Sequence, residues 1–309
     1  MQTATLRPVE NMKIGEVKYK IVTLLSRAAW TAKSYGHPYK NGMMVGKNLI
    51  ALAIRQLFGY KDDGKFADFL WESGLAKVLG YKRKPHPSLF SKTRKYVEDG
   101  AIVTFYNELA MAKCKGRKLR LLGEDSVDMP AFFINKDKEA ALGHRTKKKR
   151  EQNLDDMTGK NKQEKAFVFG YKLHLIEDVE TGLPLAGKVE PASMHDSRPF
   201  YDLFPYATEN FEMQYGAKFL GDSAFDSADI RNRVRDRQMR DVIAVNGRGH
   251  YKSETPKDKD YGKRWLCEQT NSVLELVYNL SASRMKGIGR MVVHAFSCLI
   301  ANFIDHFMN

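Results

Sequence analysis

The sequence has few cysteines, and their arrangement excludes two common kinds of scaffold. Its 309 residues contain three cysteines, which are far apart, odd in number and without Cys-x-x-Cys spacing. Such a set argues against a disulfide framework and against a structural zinc site, and it is typical of a reducing compartment. We therefore expect a cytoplasmic protein whose fold depends on its hydrophobic core.

Long apolar segments and the common nucleotide and hydrolase motifs are also missing. The longest apolar stretch, residues 291–304, is too short to span a bilayer, and the first 15 residues lack the apolar segment of a signal peptide. There is no Walker loop and no Gly-x-Ser-x-Gly elbow. We expect no membrane association, no nucleotide cofactor and no serine nucleophile.

Acidic residues are outnumbered, and this imbalance indicates a polyanionic partner. The chain has 51 Lys and Arg against 37 Asp and Glu, a formal charge of +14, with 43% hydrophobic residues. The hydrophobic content is that of a globular protein. The positive excess favours nucleic acid first and an acidic membrane surface second, and charge alone does not separate the two.

Helical periodicity dominates the first 117 residues. Apolar side chains recur at helical spacing in residues 46–60, 65–79, 88–97 and 101–114. We therefore predict a helical N-terminal region over residues 1–117. Within it, two prolines precede a basic helix that carries Lys92, Arg94 and Lys95. A turn followed by a basic helix is typical of a helix-turn-helix reader of DNA and equally of a solvated basic surface.

Residues 118–309 change to short strand-like runs that alternate with helical segments. Runs at residues 119–123, 167–177, 183–189, 218–220 and 241–245 predict strands, and helices are predicted at residues 198–206, 228–238, 262–280 and 291–307. This order indicates the α/β class, with a mixed five-stranded sheet flanked by helices on both faces. Residues 143–165 are predicted to form a basic flexible insertion, which either grips phosphates or is a plain surface loop. Its basic cluster is Lys147, Lys148, Lys149 and Arg150.

Three acidic residues occupy positions that suit a metal site. Asp125 and Asp222 each follow a short apolar run, and Glu268 lies in a helical segment. If the two strands are neighbours, both aspartates project from one edge of the sheet, where carboxylates can share divalent cations. The alternative is that each aspartate forms a turn or caps a helix and that Glu268 is an exposed acid. His195 and Asp196 are interpreted as a loop histidine and an N-capping aspartate.

Five blocks of the sequence together resemble the insertion-sequence DDE transposases, most closely the IS-four/IS-five-type group. They are LLGEDSVD, FGYKLHLIEDVETGLPLAGKVEPASMHDS, FLGDSAFDS, DVIAVNGRG and YGKRWLCEQTNSVLE, and the similarity runs from about residue 119 to the C-terminus. The segment HPSLFSKTRKY also resembles the helical N-terminal domain of that group. The resemblance implies an RNase H-like catalytic domain.

The resemblance also implies a role for individual residues. Asp125 would bridge two Mg²⁺ ions, Asp222 would bind one and Glu268 the other, with Mn²⁺ as a substitute metal. Tyr261, Arg264 and Glu268 match the Tyr-x2-Arg-x3-Glu signature of the group, and Asn271 falls on the same helix face. These residues are expected to face DNA, Arg264 through a phosphate and Asn271 through DNA or a water.

Two positions depart from the pattern of the group. The signature lysine, seven residues after the glutamate, is replaced by Glu275, and the threonine that usually follows Asp-Ser is Val127. Three cations farther along the chain are candidates for the missing phosphate contact: Arg284, Lys286 and Arg290.

The resemblance predicts a transposase that cuts at transposon ends and joins the freed 3′-hydroxyl to target DNA. The expected partners are double-stranded DNA, namely terminal inverted repeats and target, and a second copy of the chain on that DNA. The expected location is the cytoplasm, on the nucleoid when DNA is bound. Two alternatives remain open: a DNA-binding protein that has lost catalysis, and a metal-dependent nuclease that does not join DNA.

Overall fold

The computed structural model describes residues 14–34, 42–96, 100–133, 136–146, 165–247 and 254–308. Helices occupy its first part: α1 (Ile14–Ser34), α2 (Gly42–Leu57), α3 (Asp63–Glu72), α4 (Leu75–Val78), α5 (Ser88–Tyr96) and α6 (Ala101–Cys114). Strands follow: β1 (Leu119–Pro130), β2 (Ala141–Thr146), β3 (Lys165–Asp178), β4 (Leu183–Pro191), β5 (Met213–Gly221) and β6 (Arg240–Ile243). The later helices are α7 (Phe200–Asn210), α8 (Ala228–Asp236), α9 (Trp265–Leu276) and α10 (Ile288–His306).

The strands form one mixed sheet with β1 near its centre. β1 pairs antiparallel with β3 on one side and parallel with β5 on the other, and β5 pairs parallel with β6. Strands β2 and β4 both pair with β3 along the edge opposite β1. The α/β class with an RNase H-like mixed sheet is therefore confirmed.

The predicted number of five strands is wrong, because the sheet has six. The additional strand is β2, which includes residues 143–146 of the predicted flexible insertion and pairs with the first half of β3. The composition of this segment is polar and basic, but backbone pairing does not need an apolar side chain at every position. The rest of the predicted insertion lies outside the described residues, apart from Lys165, the first residue of β3.

Helices cover both faces of the sheet. On one face, Cys267 of α9 packs with Leu121 of β1 and Leu220 of β5 in a small apolar cluster. On the other face, Phe200 and Phe204 of α7 pack against Phe219 of β5, with ring centroids 5.2 and 5.6 Å apart. Leu220 and Phe219 point to opposite faces because successive side chains of a strand alternate.

The predicted helices of the N-terminal region are present, with two differences. Helix α1 was not predicted, and the helix predicted over residues 65–79 is divided into α3 and α4. The division occurs at Gly74, whose φ of +75° is the left-handed conformation that glycine adopts readily. The division of the chain into two domains at residue 117 stays a prediction.

Helix α10 is central to the hydrophobic core. Its length and apolar composition are sufficient for a membrane span, but 72% of its most apolar window is buried inside the molecule. Tyr106 of α6 packs edge-on against Phe296 of α10, at a centroid distance of 5.8 Å, and donates a hydrogen bond to the Pro184 carbonyl of β4 at 2.7 Å. Helix α10 thus lies in the same core as both the N-terminal helices and the sheet.

Candidate active site

The parallel ladder between β1 and β5 brings Asp125 and Asp222 to the same level. The ladder pairs Leu122 with Phe219 and Gly123 with Leu220. Continuing that register by two residues places Asp125 opposite Asp222. The prediction that both aspartates share one edge of adjacent strands is consistent with this register. Asp125 is not at the end of its strand, however, because β1 continues to Pro130 through its pairing with β3.

Helix α9 is held close to this edge by a small residue in β1. A Cβ atom added at Gly123 would lie 2.6 Å from Cys267 Sγ, closer than any real contact, so α9 rests directly on the backbone of β1. The face of α9 directed to the sheet carries Asn271, which is buried, and Glu268 lies one turn before it. Arg264 precedes Glu268 by four residues, in the 3-10 turn that leads into the helix. These three residues therefore share one helix face.

Each of the three acids is bound to a donor of the protein. Asn271 donates its side-chain N–H to Asp125 Oδ2 at 3.0 Å, and the backbone N–H of Ala224 donates to Asp222 Oδ1 at 2.8 Å. Arg264 Nη2 lies 2.8 Å from Glu268 Oε1. Asp222 therefore caps the short turn that follows it, as its alternative interpretation predicted, and still has a second carboxylate oxygen.

Arg264 supplies the positive charge among these carboxylates. Burial raises the pKa of Asp125 to about 6; Arg264 opposes that rise, while Asp222 and Glu268 add to it. Burial lowers the pKa of Arg264, but the negative charges of Asp125, Glu268 and Asp222 outweigh this effect and the pKa is raised. All three acids thus act electrostatically on Arg264, and Glu268 contacts it directly. The site has more negative charge than Arg264 alone neutralises.

The donor chemistry of these residues fits a divalent cation. Carboxylate oxygens are hard ligands, and two or three of them suffice for Mg²⁺, which keeps several of its waters. Within the described residues, no group of three His, Cys, Asp or Glu side chains is close enough to hold one ion. The Glu268 side chain is 59% exposed, so it can leave Arg264 by rotation alone.

A second polar cluster involves Ser126, the residue next to Asp125, and the sequence did not reveal it. Asp196 Oδ1 accepts hydrogen bonds from Ser126 Oγ at 3.0 Å and from Lys172 Nζ at 2.8 Å. Asp196 therefore connects the loop after β4 to the residue next to Asp125. The prediction that Asp196 caps a helix is wrong, since Pro199 occupies the cap position of α7. Only the pairing of three distant segments produces this cluster. His195 is a loop histidine, as predicted, with Nδ1 2.8 Å from Ser197 Oγ.

The structure separates the predicted DNA contacts into different environments. Lys92 and Lys95 are exposed on α5, whereas Arg94 is buried and paired with Asp63 of α3. Arg94 therefore belongs to the interior of the helical region, and its prediction as a surface DNA contact is corrected on that ground. Tyr261 is half-buried beside the apolar cluster under α9. Lys147, Lys148, Lys149 and Arg150 lie outside the described residues.

The two departures from the pattern of the family have local structural explanations. Glu275 lies on the face of α9 that carries Glu268 and Asn271. Its Oε1 is 3.1 Å from Ser281 Oγ, in the segment that follows the helix. Val127 is 5% exposed and packs in the main hydrophobic core, where a hydroxyl group would need a partner. Arg284, Lys286 and Arg290 line a cavity beyond Ser281.

Comparison with known proteins identifies the family. The family model described as transposase DDE domain matches residues 137–304, more than half of the chain. Asp222 and Glu268 lie within the matched residues, and Asp125 precedes them. No curated protein sequence matches the chain with significance.

One structural comparison gives a similar but much weaker result. The chain is similar to a piggyBac transposase, in a cryo-EM structure of its synaptic complex with hairpin DNA. The TM-score is 0.39 at 10% sequence identity, over 96% of this chain and 75% of that chain. A likeness at this level carries no argument about function. The family match is the finding that counts: a transposase DDE domain acts in transposition by DDE-type chemistry on DNA, and the chain belongs to the transposase DDE domain family.

Proposed function

We propose that this protein cuts DNA at the ends of a transposable element and joins the freed end to target DNA. In the first step a water oxygen attacks the phosphorus at the element's end, and the P–O3′ bond breaks to leave a 3′-hydroxyl. In the second step that hydroxyl attacks a target phosphodiester, whose own P–O3′ bond breaks. One bond forms for each that breaks, so no external energy source is needed. The β1–β5 register, which places Asp125 opposite Asp222 with Glu268 on the adjoining helix α9, carries the proposal.

Each residue of the site has a proposed task. Asp125, Asp222 and Glu268 are the ligands for Mg²⁺ or Mn²⁺. Two such ions, when bound, activate the attacking oxygen and stabilise charge on the leaving oxygen. Asn271 orients the Asp125 carboxylate through its hydrogen bond. Arg264, with its planar guanidinium, holds a phosphate of the cleaved strand once Glu268 has turned away. Pairing of two element ends requires a second copy of the chain on the DNA.

The test is a cleavage assay with the DNA that flanks the coding sequence on both sides. Purified protein is incubated with this labelled linear DNA in Mg²⁺ or Mn²⁺, beside Asp125→Asn, Asp222→Asn and Glu268→Gln. We expect nicks at defined ends, lost on chelation of the metal and reduced more than about 100-fold in each variant, since even outer partners of metal ligands contribute about 10–100-fold. Asp236→Asn, an exposed acid on α8, is the matched control and should cleave normally.

The same assay separates the alternatives. A supercoiled plasmid added as target captures the cut ends if the protein joins DNA, and a plain nuclease leaves them unjoined. Binding without cleavage in both metals would instead support a DNA-binding protein that has lost catalysis, and Glu275 in place of the signature lysine is the residue that favours this alternative.

A further inference from the structure

A cavity of about 430 Å³ opens between the N-terminal helices and the segment that joins α9 to α10. Its volume is that of a small-ligand site. Its lining is charged more than apolar, with six cationic side chains and two carboxylates, Asp62 and Asp63. The cations are Arg55, Lys61, Arg94, Arg284, Lys286 and Arg290.

Cationic side chains outnumber carboxylates in the lining, six to two. Asp63 is shared by two buried guanidinium groups: its Oδ1 lies 2.9 Å from Arg55 Nε, and it also pairs with Arg94. Asp62 Oδ1 accepts the backbone N–H of Lys65 at 2.8 Å and so caps α3. Asp63 thus pairs with two buried arginines of the cavity wall, and Asp62 accepts a hydrogen bond from the backbone.

The cations at the mouth are carried by a segment that the fold holds in place. The Arg284 guanidinium lies over the Phe132 ring, 5.5 Å from its centroid. The backbone N–H of Gly287 donates to Asp137 Oδ2 at 3.0 Å, and that of Ile288 donates to Glu139 at 2.6 Å. Lys286, which is exposed, lies directly before these two anchored residues. Such preorganisation lowers the entropy cost of binding a ligand.

The cavity is near the catalytic acids. Ser281, in the same segment, lies within hydrogen-bonding distance of the Asp128 carbonyl of β1, at 3.3 Å. Asp128 is three residues beyond Asp125, roughly 10 Å along the strand. The mouth of the cavity is therefore on the order of 10–20 Å from Asp125, which corresponds to about three to six base pairs of DNA at 3.4 Å each.

We propose that this cavity binds a phosphate group of the DNA backbone, a few base pairs from the cut phosphodiester. Arginine recognises phosphate bidentately, and lysine adds a point charge. The proposal rests on the proposed function, because it takes DNA as the substrate of the site. It gives Arg284, Lys286 and Arg290 one shared task and adds Lys61, an exposed lining residue between α2 and α3, so that the N-terminal region and the catalytic region bind the same strand.

The test measures DNA binding and not cleavage, so it stands apart from the test of catalysis. Phosphate contacts carry no sequence information, and a labelled 20-base-pair duplex of arbitrary sequence is therefore a sufficient probe. Its affinity is measured by fluorescence anisotropy over a series of KCl concentrations. For Arg284→Ala/Lys286→Ala we expect weaker binding and a salt-dependence slope smaller by about 1. Arg233→Ala/Arg237→Ala removes two exposed cations on or beside α8 and should keep the wild-type slope.

A second pair of variants adds a charge without removing any cation. Ser91 and Ser88 are both exposed on α5, and of the two only Ser91 lines the cavity. Ser91→Glu should weaken binding severalfold more than Ser88→Glu does. The proposal is overturned if Arg284→Ala/Lys286→Ala and Arg233→Ala/Arg237→Ala change the slope equally, if neither double variant changes it, or if the two serine variants bind alike. Circular dichroism of each variant checks that the fold is kept.

Discussion

At the scale of single residues, the site is organised by Arg264. Its guanidinium contacts Glu268, and the charges of Asp125, Glu268 and Asp222 raise the pKa of Arg264 although burial lowers it. Under the proposed function, Arg264 and a divalent cation would compete for the same negative charge. The arginine pairs with Glu268 in the metal-free protein, and it would give up Glu268 to a bound metal.

This competition predicts the effect of removing Arg264. Without the arginine, its positive charge no longer competes with Mg²⁺ for the three acids. Mg²⁺ should therefore raise the melting temperature of Arg264→Ala by a few °C more than that of the wild type, as expected for tighter binding to the folded state. Thermal unfolding with and without excess Mg²⁺ measures the difference. Lys263→Ala, at the neighbouring cation, should behave as the wild type, and equal shifts for both variants would contradict the prediction.

Asn271 is the second residue whose role can be separated by experiment. Its side-chain N–H fixes Asp125 Oδ2, so we expect Asn271→Ala to lower the cleavage rate about 10–100-fold and to leave DNA affinity unchanged. Rates and affinities measured on one substrate test this. Gln269→Ala, an exposed change on the same helix, is the control. A loss of affinity with normal cleavage of bound DNA would show that Asn271 contacts DNA.

At the scale of elements, the position of α9 depends on Gly123 of β1, against which the helix packs. Gly123 has no side chain, and a methyl group there would lie 2.6 Å from Cys267 Sγ and 2.8 Å from Val179 Cγ2. Because α9 carries Glu268 and Asn271, a shift of this helix moves two residues of the site together.

Gly123→Ala should therefore affect stability and activity at once. We expect a loss of about 1–3 kcal/mol in the free energy of unfolding from overpacking, and slower cleavage. Adding Cys267→Ala removes the sulfur and should recover part of the lost stability and part of the lost cleavage rate. The double variant should then be more stable than the sum of the single changes predicts. Urea unfolding of the four proteins gives the coupling energy. Strictly additive changes in the free energy of unfolding would show that there is no steric conflict between the two positions.

The junction of three elements is held by a neutral histidine. His294 of α10 donates from Nε2 to the Leu280 carbonyl at 3.0 Å, and its Nδ1, 3.3 Å from Gln56 Nε2 of α2, accepts in return. Both ring nitrogens are then satisfied without a second proton. Burial lowers the pKa of His294 to about 4, against which the hydrogen bond to Leu280 acts weakly.

This pKa predicts a specific loss of stability in acid. The unfolded chain binds a proton on His294 near pH 6.5, whereas the folded protein does so only near pH 4, so stability falls as the pH is lowered between these values. From pH 7 to pH 5 the contribution is about 2 kcal/mol. Urea unfolding at both pH values should show a decrease that is smaller by this amount in His294→Gln. The same pH dependence in both proteins would refute it.

At the scale of the whole molecule, the helical and catalytic regions share one core. A single cluster of buried apolar residues runs from α1 through the sheet to α10. Polar contacts cross the same boundary: Lys20 of α1 donates to the Ile304 carbonyl of α10 at 3.0 Å, and Tyr106 of α6 donates to Pro184 of β4.

A shared core predicts that the two regions unfold together. We expect one calorimetric transition for the full chain, with agreement between the calorimetric and van't Hoff enthalpies. A fragment of residues 118–309 should expose the apolar faces of α10 and β4 and fail to give a cooperative transition. Two resolved transitions, or a stably folded fragment, would support independent domains at the predicted boundary.

The sequence by itself was sufficient for the features that depend on local patterning. Helical and alternating periodicity predicted most elements, and the Glu-Thr-Gly turn between β3 and β4 follows from Gly182, whose φ is +68°. The acidic triad was proposed from a carboxylate after a buried strand and a glutamate in a helix, together with the family resemblance, and its role stays a prediction. These features depend on neighbours in the chain.

The tertiary structure alone decided which distant groups meet. Strand β2 is stabilised by pairing with β3, which its own polar composition does not indicate. The burial of Arg94 against Asp63 and the tie between Asp196 and Ser126 depend on the packing of separate segments. The same holds for the arginine among the three acids and for the basic cavity between α2, α5 and the α9–α10 segment. Charge and hydrogen bonding act through space, so residue order identifies the groups, but only the fold determines their partners.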